Sequence, residues 1–265
     1  MYDFNYHRPT SIDEAKQILA ANEDAKLVAG GMTLLPTMKM RLARPSDLVD
    51  LSGIDGLSGI SDNGDAIEIG AMTRHADVAA SDVVRSAIPA LADLADSIGD
   101  AQVRNRGTIG GSLANSDPAA DYPAAVLGLD ATIRTDRREI AADDYFKGLF
   151  ETALDEGEVV VSVSFPKVAK AAYAKFPNPA SRYAVAGVMV AQTGDGVRVA
   201  VTGAGACAFR ATAFEDALNN AFSADALAGL SVDAAELNSD IHASAAYRAH
   251  LVGVMAARAV EDIGG

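Results

Sequence analysis

The sequence has little cysteine, since Cys207 is its single cysteine residue. One thiol cannot form a disulfide within the chain, and it cannot hold an iron–sulfur cluster that needs four thiolate ligands. The four histidines are scattered and do not stand at the spacing of a zinc site. We therefore expect no metal centre in this chain, and we interpret the histidines as surface residues or as core residues with satisfied hydrogen bonds.

Positive charge is also scarce. The chain has 22 Lys and Arg against 36 Asp and Glu, a formal net charge of −14. Proteins that bind nucleic-acid backbones need a basic face, and this sequence has no long Lys/Arg stripe. The composition therefore excludes a nucleic-acid partner and argues against an anionic membrane surface.

Long apolar runs are missing as well. No stretch reaches the roughly 18 apolar residues of a membrane-spanning helix, and the N-terminal segment has no apolar core of signal-peptide length. We expect no membrane span and a cytoplasmic location.

The first 55 residues show alternating strand and helix patterns. Ser11 and Glu14 form a capping-box pair before a helix, and a short apolar run over 26–29 predicts a buried strand. A second helix is predicted over about 33–42 and a further strand over 48–51. This order is typical of a small α/β unit.

The patterns change further along the chain. Strands are predicted over 67–72, 131–135 and 159–165, and a helix over 82–97 that bends near Pro89. The Gly-, Asn- and Ser-rich segment 104–121 predicts mainly loop, and 167–171 predicts a linker. Beyond it, strands over 185–192 and 197–202 are joined by a Gly-Asp-Gly hairpin signal, and helices follow over 210–220 and 244–262.

These elements predict an α+β protein of two domains. The first spans 1–166, with subdomains of about 1–55 and 56–166. The second spans 172–265 and is smaller, with an antiparallel sheet and helices.

Two glycine loops carry the main functional signal. The first glycine loop (residues 29–34) leaves a predicted strand and enters a helix. Glycine tolerates positive φ, so successive N–H groups there can converge into an anion-binding nest. The second glycine loop (residues 108–115) lacks the Gly-Lys-Ser/Thr ending of a P-loop, so a nucleotide triphosphatase is not supported. The two loops could present backbone donors to a diphosphate from both sides, or they could be unrelated turns.

A third glycine motif, Gly203-Ala204-Gly205, fits the start of a dinucleotide fingerprint. No parallel βαβ unit surrounds it, so we interpret it as a turn between a strand and a helix. No nucleophile motif accompanies Ser112 or Ser116, and we predict no catalytic residue.

Taken together, these segments resemble a known family, the FAD-binding medium subunits of the carbon monoxide dehydrogenase and xanthine dehydrogenase group (molybdenum hydroxylases). The resemblance covers almost the whole chain. Its motifs are AGGMTLLP (29–36), MKMRLARP (38–45), LVD (48–50), IGAMT (69–73), QVRNRGTIGG (102–111), DPAAD (117–121) and RYA (182–184).

The resemblance implies an FAD-binding domain of the vanillyl-alcohol-oxidase type and a smaller C-terminal domain. Both glycine loops would hold the FAD diphosphate. The implied contacts there are Val28, Ala29, Gly30, Gly31, Met32, Thr33, Leu34, Thr108, Ile109, Gly110, Gly111, Ser112 and Asn115. Asp121 would form a hydrogen bond to the cofactor, and Lys175 and Tyr183 would lie near the flavin. Ile98 and Val160 would be apolar contacts to the ring system, with ordinary core packing as the alternative.

The resemblance also implies a function. Electrons would leave a molybdenum cofactor in a large subunit, cross 2Fe-2S clusters in a small subunit and reach FAD here, within a dimer of heterotrimers. The acceptor could be NAD⁺, a quinone or another oxidant. The complex could act on carbon monoxide, a purine, a heterocycle or an aldehyde. Two alternatives stay open: a stand-alone FAD-dependent oxidoreductase with its own small substrate, and an assembly subunit that has lost FAD.

Overall fold

The structure, a computed structural model, describes residues 1–264. It begins with a three-stranded parallel sheet of order β1-β3-β2. The Ser11 hydroxyl accepts a hydrogen bond from the Glu14 N–H, so the predicted helix start is confirmed. The elements of this part are β1 (Asn5–His7), α1 (Ile12–Ala21), β2 (Lys26–Val28), α2 (Leu34–Lys39) and β3 (Asp47–Asp50).

The next part is built on a five-stranded antiparallel sheet of order β4-β5-β10-β6-β7, with helices packed against it. Its first elements are β4 (Ile60–Asp62), β5 (Ala66–Gly70), α3 (His75–Ala80), α4 (Asp82–Ala87), α5 (Pro89–Asp96), α6 (Ala101–Arg104) and α7 (Ile109–Asn115). The others are α8 (Tyr122–Gly128), β6 (Thr132–Thr135), β7 (Glu139–Ala141), α9 (Ala142–Tyr145), β8 (Phe146–Gly148), β9 (Glu151–Thr152) and β10 (Val160–Pro166). Pro89 divides the predicted helix in two and occupies the first turn of α5, where its missing N–H costs nothing.

The C-terminal sheet is antiparallel, with the order β11-β12-β13-β14. Residues 193 and 196 pair across the Gly-Asp-Gly turn, so the predicted hairpin is confirmed. Helix α11 packs on β11 and β12. The elements are β11 (Lys170–Pro177), β12 (Ala184–Thr193), β13 (Gly196–Thr202), β14 (Phe209–Arg210), α10 (Thr212–Asn220) and α11 (Ala245–Ile263).

The C-terminal sheet packs against α8 through polar and apolar contacts. Arg198 on β13 is buried, donates a hydrogen bond to the Leu127 carbonyl at 2.8 Å and pairs with Asp130 at 2.8 Å. Close packing accompanies these polar contacts, because a Cβ at Gly128 would lie 2.6 Å from the Met189 side chain. The C-terminal sheet is therefore held against α8, which begins directly after Asp121.

The prediction that segment 104–121 is mainly loop holds for most of its residues, but it misses α7 (Ile109–Asn115), whose N-cap Thr108 accepts the Gly111 N–H with its hydroxyl. The segment 167–171 is not only a linker, because β11 begins at Lys170. The Gly203 motif is followed by β14, which pairs antiparallel with β13, so no parallel βαβ unit exists there. The α+β class is confirmed. Within residues 1–264, no helix is both long and apolar enough to cross a membrane.

Candidate cofactor site

A cavity of about 1100 Å³ lies beside the N-terminal parallel sheet, the five-stranded sheet and the loop that connects β11 to β12. The first and second glycine loops lie along it, α1 and β10 border one end, and the connection between β11 and β12 borders the other. All the predicted cofactor-binding residues line this cavity except Ile109 and Lys175. The structure thus brings together segments that are far apart in the sequence.

The first glycine loop connects β2 to α2. Gly31 has a φ of 72°, which turns the chain toward the cavity. Within residues 1–264, the backbone N–H groups of residues 30–34 donate to no protein acceptor. The first N–H groups of a helix have no partner within the helix, so water or a ligand must satisfy these donors. This row of free donors is suited to an anion such as a diphosphate.

The second glycine loop differs, because its amides are already used. The N–H of Ile109 donates to Thr73 O at 3.1 Å, and that of Gly110 donates to Ala71 O at 2.8 Å. The N–H of Gly111 donates to the Thr108 hydroxyl at 3.2 Å. The expectation that both loops present backbone donors is therefore wrong for the second loop. Two of these donors are held by the strand-to-helix connection before α3, and the third is held by the Thr108 side chain.

Polar side chains on α7 offer hydrogen-bonding groups to the cavity in place of these backbone N–H groups. Ser112 and Asn115 both line the cavity, and neither side chain has a hydrogen-bond partner in the described part of the chain. They are three residues apart on a helix, so they lie on the same face. Ile109, in contrast, is fully buried in the core and does not reach the cavity.

The two glycine loops touch each other. A Cβ at Gly30 would lie 2.1 Å from the Arg106 carbonyl oxygen. A Cβ at Gly111 would lie 3.3 Å from the Ala29 side chain. These glycines therefore let two backbones meet, and they do not simply leave room for a ligand.

The far end of the cavity contains a buried charge pair. Asp121 accepts a hydrogen bond from the Tyr173 hydroxyl at 2.6 Å and from the Lys175 ammonium at 3.0 Å. The ammonium also donates to the Ser97 carbonyl at 3.1 Å. Burial raises the pKa of Asp121, and the Lys175 charge opposes that rise. Lys175 thus lies behind Asp121 and contacts the cavity only through it.

Tyr183 and Arg182 come from the connection between β11 and β12 and line the same end. Arg182 has a φ of 63° and donates a hydrogen bond to the Gly99 carbonyl at 3.3 Å. Burial raises the pKa of the Tyr183 hydroxyl, and the carboxylates of Asp117 and Asp121 add to the rise. An aromatic ring, an arginine and two carboxyl groups therefore converge here.

His75 is a cavity residue that the sequence interpretation missed. It is 5% exposed, its Nδ1 is buried without a partner, and its ring lies 5.3 Å from that of Tyr122. Burial lowers the pKa of His75 to about 4. The interpretation as a surface or fully satisfied histidine is wrong for this residue. Its position two residues after the IGAMT motif was the available signal.

Other lining residues were also missed. Asp117 has one carboxylate oxygen bound by the Ala119 N–H at 2.9 Å, and burial raises its pKa. Phe150, at the tip of the β8–β9 hairpin, is 57% exposed with a φ of 55° and reaches the rim of the cavity. Within residues 1–264, no group of three or more His, Cys, Asp and Glu side chains could hold a metal ion.

Comparisons with known proteins agree with this geometry. Residues 2–168 match the family model described as the FAD binding domain in molybdopterin dehydrogenase. Residues 171–263 match the carbon monoxide dehydrogenase flavoprotein C-terminal domain.

Similar proteins cover nearly the full length. The chain is 36% identical to the carbon monoxide dehydrogenase medium chain of Hydrogenophaga pseudoflava, over 97% of this chain and 96% of that one. It is 36% identical to the nicotine 6-hydroxylase medium subunit of Paenarthrobacter nicotinovorans, over 98% and 96%. A solved structure of Hydrogenophaga pseudoflava carbon monoxide dehydrogenase, which lacks the Mo-pyranopterin moiety, superimposes with a TM-score of 0.90 at 37% identity, over 99% of this chain and 98% of that one.

Proposed function

The chain belongs to the FAD-binding medium subunits of the carbon monoxide dehydrogenase and xanthine dehydrogenase family, and on that premise we propose that it relays electrons from a partner subunit to an external acceptor. The electrons would come from 2Fe-2S clusters in a small subunit, which receive them from a molybdenum cofactor in a large subunit. FAD, when bound, supplies the redox chemistry, and the protein sets its place and its surroundings.

The observation that carries the proposal is the row of free N–H groups at residues 30–34. A diphosphate needs several convergent donors, and an acidic protein can supply them from its backbone without basic side chains. Ser112 and Asn115 add side-chain donors across the cavity. The residues present therefore fit the central part of FAD.

The residues that line one end of the cavity indicate where the flavin ring would lie. Tyr183, Asp117 and the Asp121–Lys175 pair form the end nearest the C-terminal sheet. We assign the ring system to this end, since aromatic and charged groups beside a flavin are the means by which a protein tunes it. Ile98 and Val160 both line the cavity, and their contact with the ring system stays a prediction. The division into domains 1–166 and 172–265 stays a prediction.

Two observations favour a relay over a stand-alone enzyme. Relatives of equal identity carry names that refer to different substrates, carbon monoxide and nicotine. A chain of this kind is thus compatible with unlike substrates, as expected if another subunit selects them. In addition, Cys207 is the only cysteine, so this chain cannot supply four thiolate ligands, which favours clusters held by a partner.

A basic patch supports a protein partner. It consists of Tyr2, Met40, Arg41, Leu42 and Arg44. Met40 is 64% and Leu42 is 75% exposed, and both guanidinium groups lie over the Tyr2 ring, at 5.5 and 5.0 Å. Within residues 1–264, neither arginine of the patch pairs with a carboxylate. In a chain of net charge −14, such a patch is suited to the acidic, partly apolar face of another subunit, and we assign it to an electron-donating partner.

Two linked experiments test the proposal. A tagged chain is recovered from its native cells, and the co-purifying subunits are analysed for molybdenum and for 2Fe-2S absorption; both should be present. The isolated FAD-loaded chain is then mixed anaerobically with carbon monoxide, xanthine, nicotine and an aldehyde. Its flavin absorption should not bleach with any of them. Bleaching of the isolated chain would establish the stand-alone oxidoreductase instead.

A further inference from the structure

The aspartate loop (residues 117–121) joins α7 to α8 and lines the flavin end of the cavity with Asp117, Ala120 and Asp121. It belongs to no helix or strand, so no regular ladder satisfies its carbonyl groups. Buried backbone carbonyls nonetheless need donors. The groups that donate to these carbonyls therefore set the positions of Asp117 and Asp121.

The donors come from the C-terminal sheet. The Thr202 hydroxyl lies 2.6 Å from the Ala120 carbonyl and 3.1 Å from the Pro118 carbonyl. The N–H of Gly203 also donates to Pro118 O, at 2.7 Å, and the N–H of Ala184 donates to Ala119 O, at 3.3 Å. Three successive carbonyls of the loop are thus held by the ends of β12 and β13.

Thr202 is the only one of these contacts made by a side chain, so a substitution can remove it without disturbing the backbone. Its exposure is 0%, and its hydroxyl bonds nothing in its own sheet. A hydroxyl buried at this depth is costly unless it forms hydrogen bonds. A valine of nearly the same shape would serve packing alone equally well.

The same sheet also fixes the end of the loop. Tyr173 and Lys175, both on β11, bind the Asp121 carboxylate. The C-terminal sheet therefore holds three carbonyl groups of the aspartate loop and the Asp121 carboxylate. The contacts within the loop lie at its start, where the N–H groups of Ala119 and Ala120 donate to the Asp117 carboxylate and carbonyl.

We propose that Thr202 is a positioning residue of the flavin site, which acts through the aspartate loop to place Asp117 and Asp121 beside the cofactor. This inference rests on the proposed function, in which the cavity holds FAD with its flavin at this end. It assigns to the C-terminal sheet a direct part in setting the properties of a cofactor that is bound mainly by the N-terminal loops.

The test compares three variants of the full chain after loading with FAD. Thr202→Val removes the hydroxyl, and Thr202→Ser keeps it. Thr193→Val is the matched control, because the Thr193 hydroxyl bonds Gly196 O at 2.8 Å at the far end of the same hairpin. The measurements are the midpoint potential and the visible circular dichroism of the bound flavin, the Kd for FAD and the melting temperature.

Thr202→Val should shift the midpoint potential and change the flavin dichroism, and it should weaken FAD binding by roughly 3- to 10-fold, the range expected for one lost hydrogen bond. Thr202→Ser and Thr193→Val should match the wild type in all flavin measurements, even if Thr193→Val melts earlier. If Thr202→Val does not fold, Thr202→Ala removes the same hydroxyl without crowding.

Two results would overturn the inference, and they differ in meaning. If the wild type binds FAD and the hydroxyl-free variants keep its potential, dichroism and Kd, Thr202 is only a packing residue. An equal flavin change in Thr193→Val would lead to the same conclusion. If the wild type itself takes up no FAD, the proposed function has failed, and the inference fails with it.

Discussion

Gly30 lies directly against the backbone carbonyl of Arg106, so close that a Cβ at position 30 would be 2.1 Å from its oxygen. Both groups of this contact belong to the backbone, and the Arg106 carbonyl is followed shortly by Ile109 and Gly110, which are buried. The contact joins the first glycine loop, with its free amides, to the second. It makes the shape of the diphosphate site depend on both.

Gly30→Ala should therefore weaken FAD binding roughly 5- to 140-fold, because overpacking against backbone costs about 1–3 kcal/mol and 1.4 kcal/mol corresponds to a factor of ten. Fluorescence quenching of FAD on binding gives the Kd. Gly194→Ala is the control, since a Cβ there meets nothing within 4 Å. Equal Kd values for the two variants would contradict the loop contact.

Gly110→Val should abolish FAD binding because it disturbs packing inside the protein. It would not act by filling space that the ligand needs. A Cβ at Gly110 would lie 2.5 Å from the Ala71 side chain, inside the protein. The variant should thus lower the melting temperature of the cofactor-free chain. In the control Gly253→Ala, on α11, the nearest atom to the new Cβ is 3.7 Å away. Alanine favours helix there, so the melting temperature should rise. Unchanged stability of Gly110→Val without FAD would show that it blocks the ligand directly.

His75 should make folding stability depend on pH. Its pKa is about 4 in the folded chain against 6.5 for a free histidine, because burial disfavours the charged ring. The unfolded chain binds the proton more readily, so the stability is fully present above the unfolded pKa and is lost as the pH falls toward the folded pKa.

Between pH 7 and 5, the wild type should lose about 2 kcal/mol more unfolding free energy than His75→Asn, as the two pKa values require. Urea unfolding at both pH values measures the difference. His242 is exposed, and His242→Asn should therefore behave like the wild type. Parallel pH profiles for the wild type and His75→Asn would show that the His75 ring is not held neutral.

We expect the basic patch to contribute to the binding of partner subunits and not to the binding of FAD. Leu42→Asp places a carboxylate in the patch, whereas Ile241→Asp makes the same change at a 94% exposed residue elsewhere. Leu42→Asp should recover less of the partner subunits from native cells, with an unchanged Kd for FAD. Equal recovery with the two variants would remove the patch from the proposed interface.

Much of the site could be predicted from the sequence, because glycine loops after strands carry a local signal. The residues of the first glycine loop and Tyr183 were assigned to the site by their motifs, and they line one cavity. The roles of the second loop could not be predicted, since its amides are bound by Ala71 and Thr73, which are distant in the sequence. Contacts of that kind depend on tertiary packing.

Other features that the sequence does not show have similar causes. The composition of 104–121 predicts loop and misses α7, which a threonine cap and packing against β5 and β10 stabilise. The ion pair of Lys175 with Asp121 also depends on tertiary packing, and the place of Lys175 near the flavin stays a prediction. His75 follows the IGAMT motif by two residues, but a single histidine in a sequence carries no information about burial.

The most direct test of the central claim is the affinity of the purified chain for FAD compared with riboflavin, measured by equilibrium binding. Riboflavin has the same ring system but no diphosphate for the free amides of residues 30–34 to bind. We expect tight, readily detected binding of FAD and weak or no binding of riboflavin. Equal affinity for the two flavins, or a chain that binds neither, would contradict it.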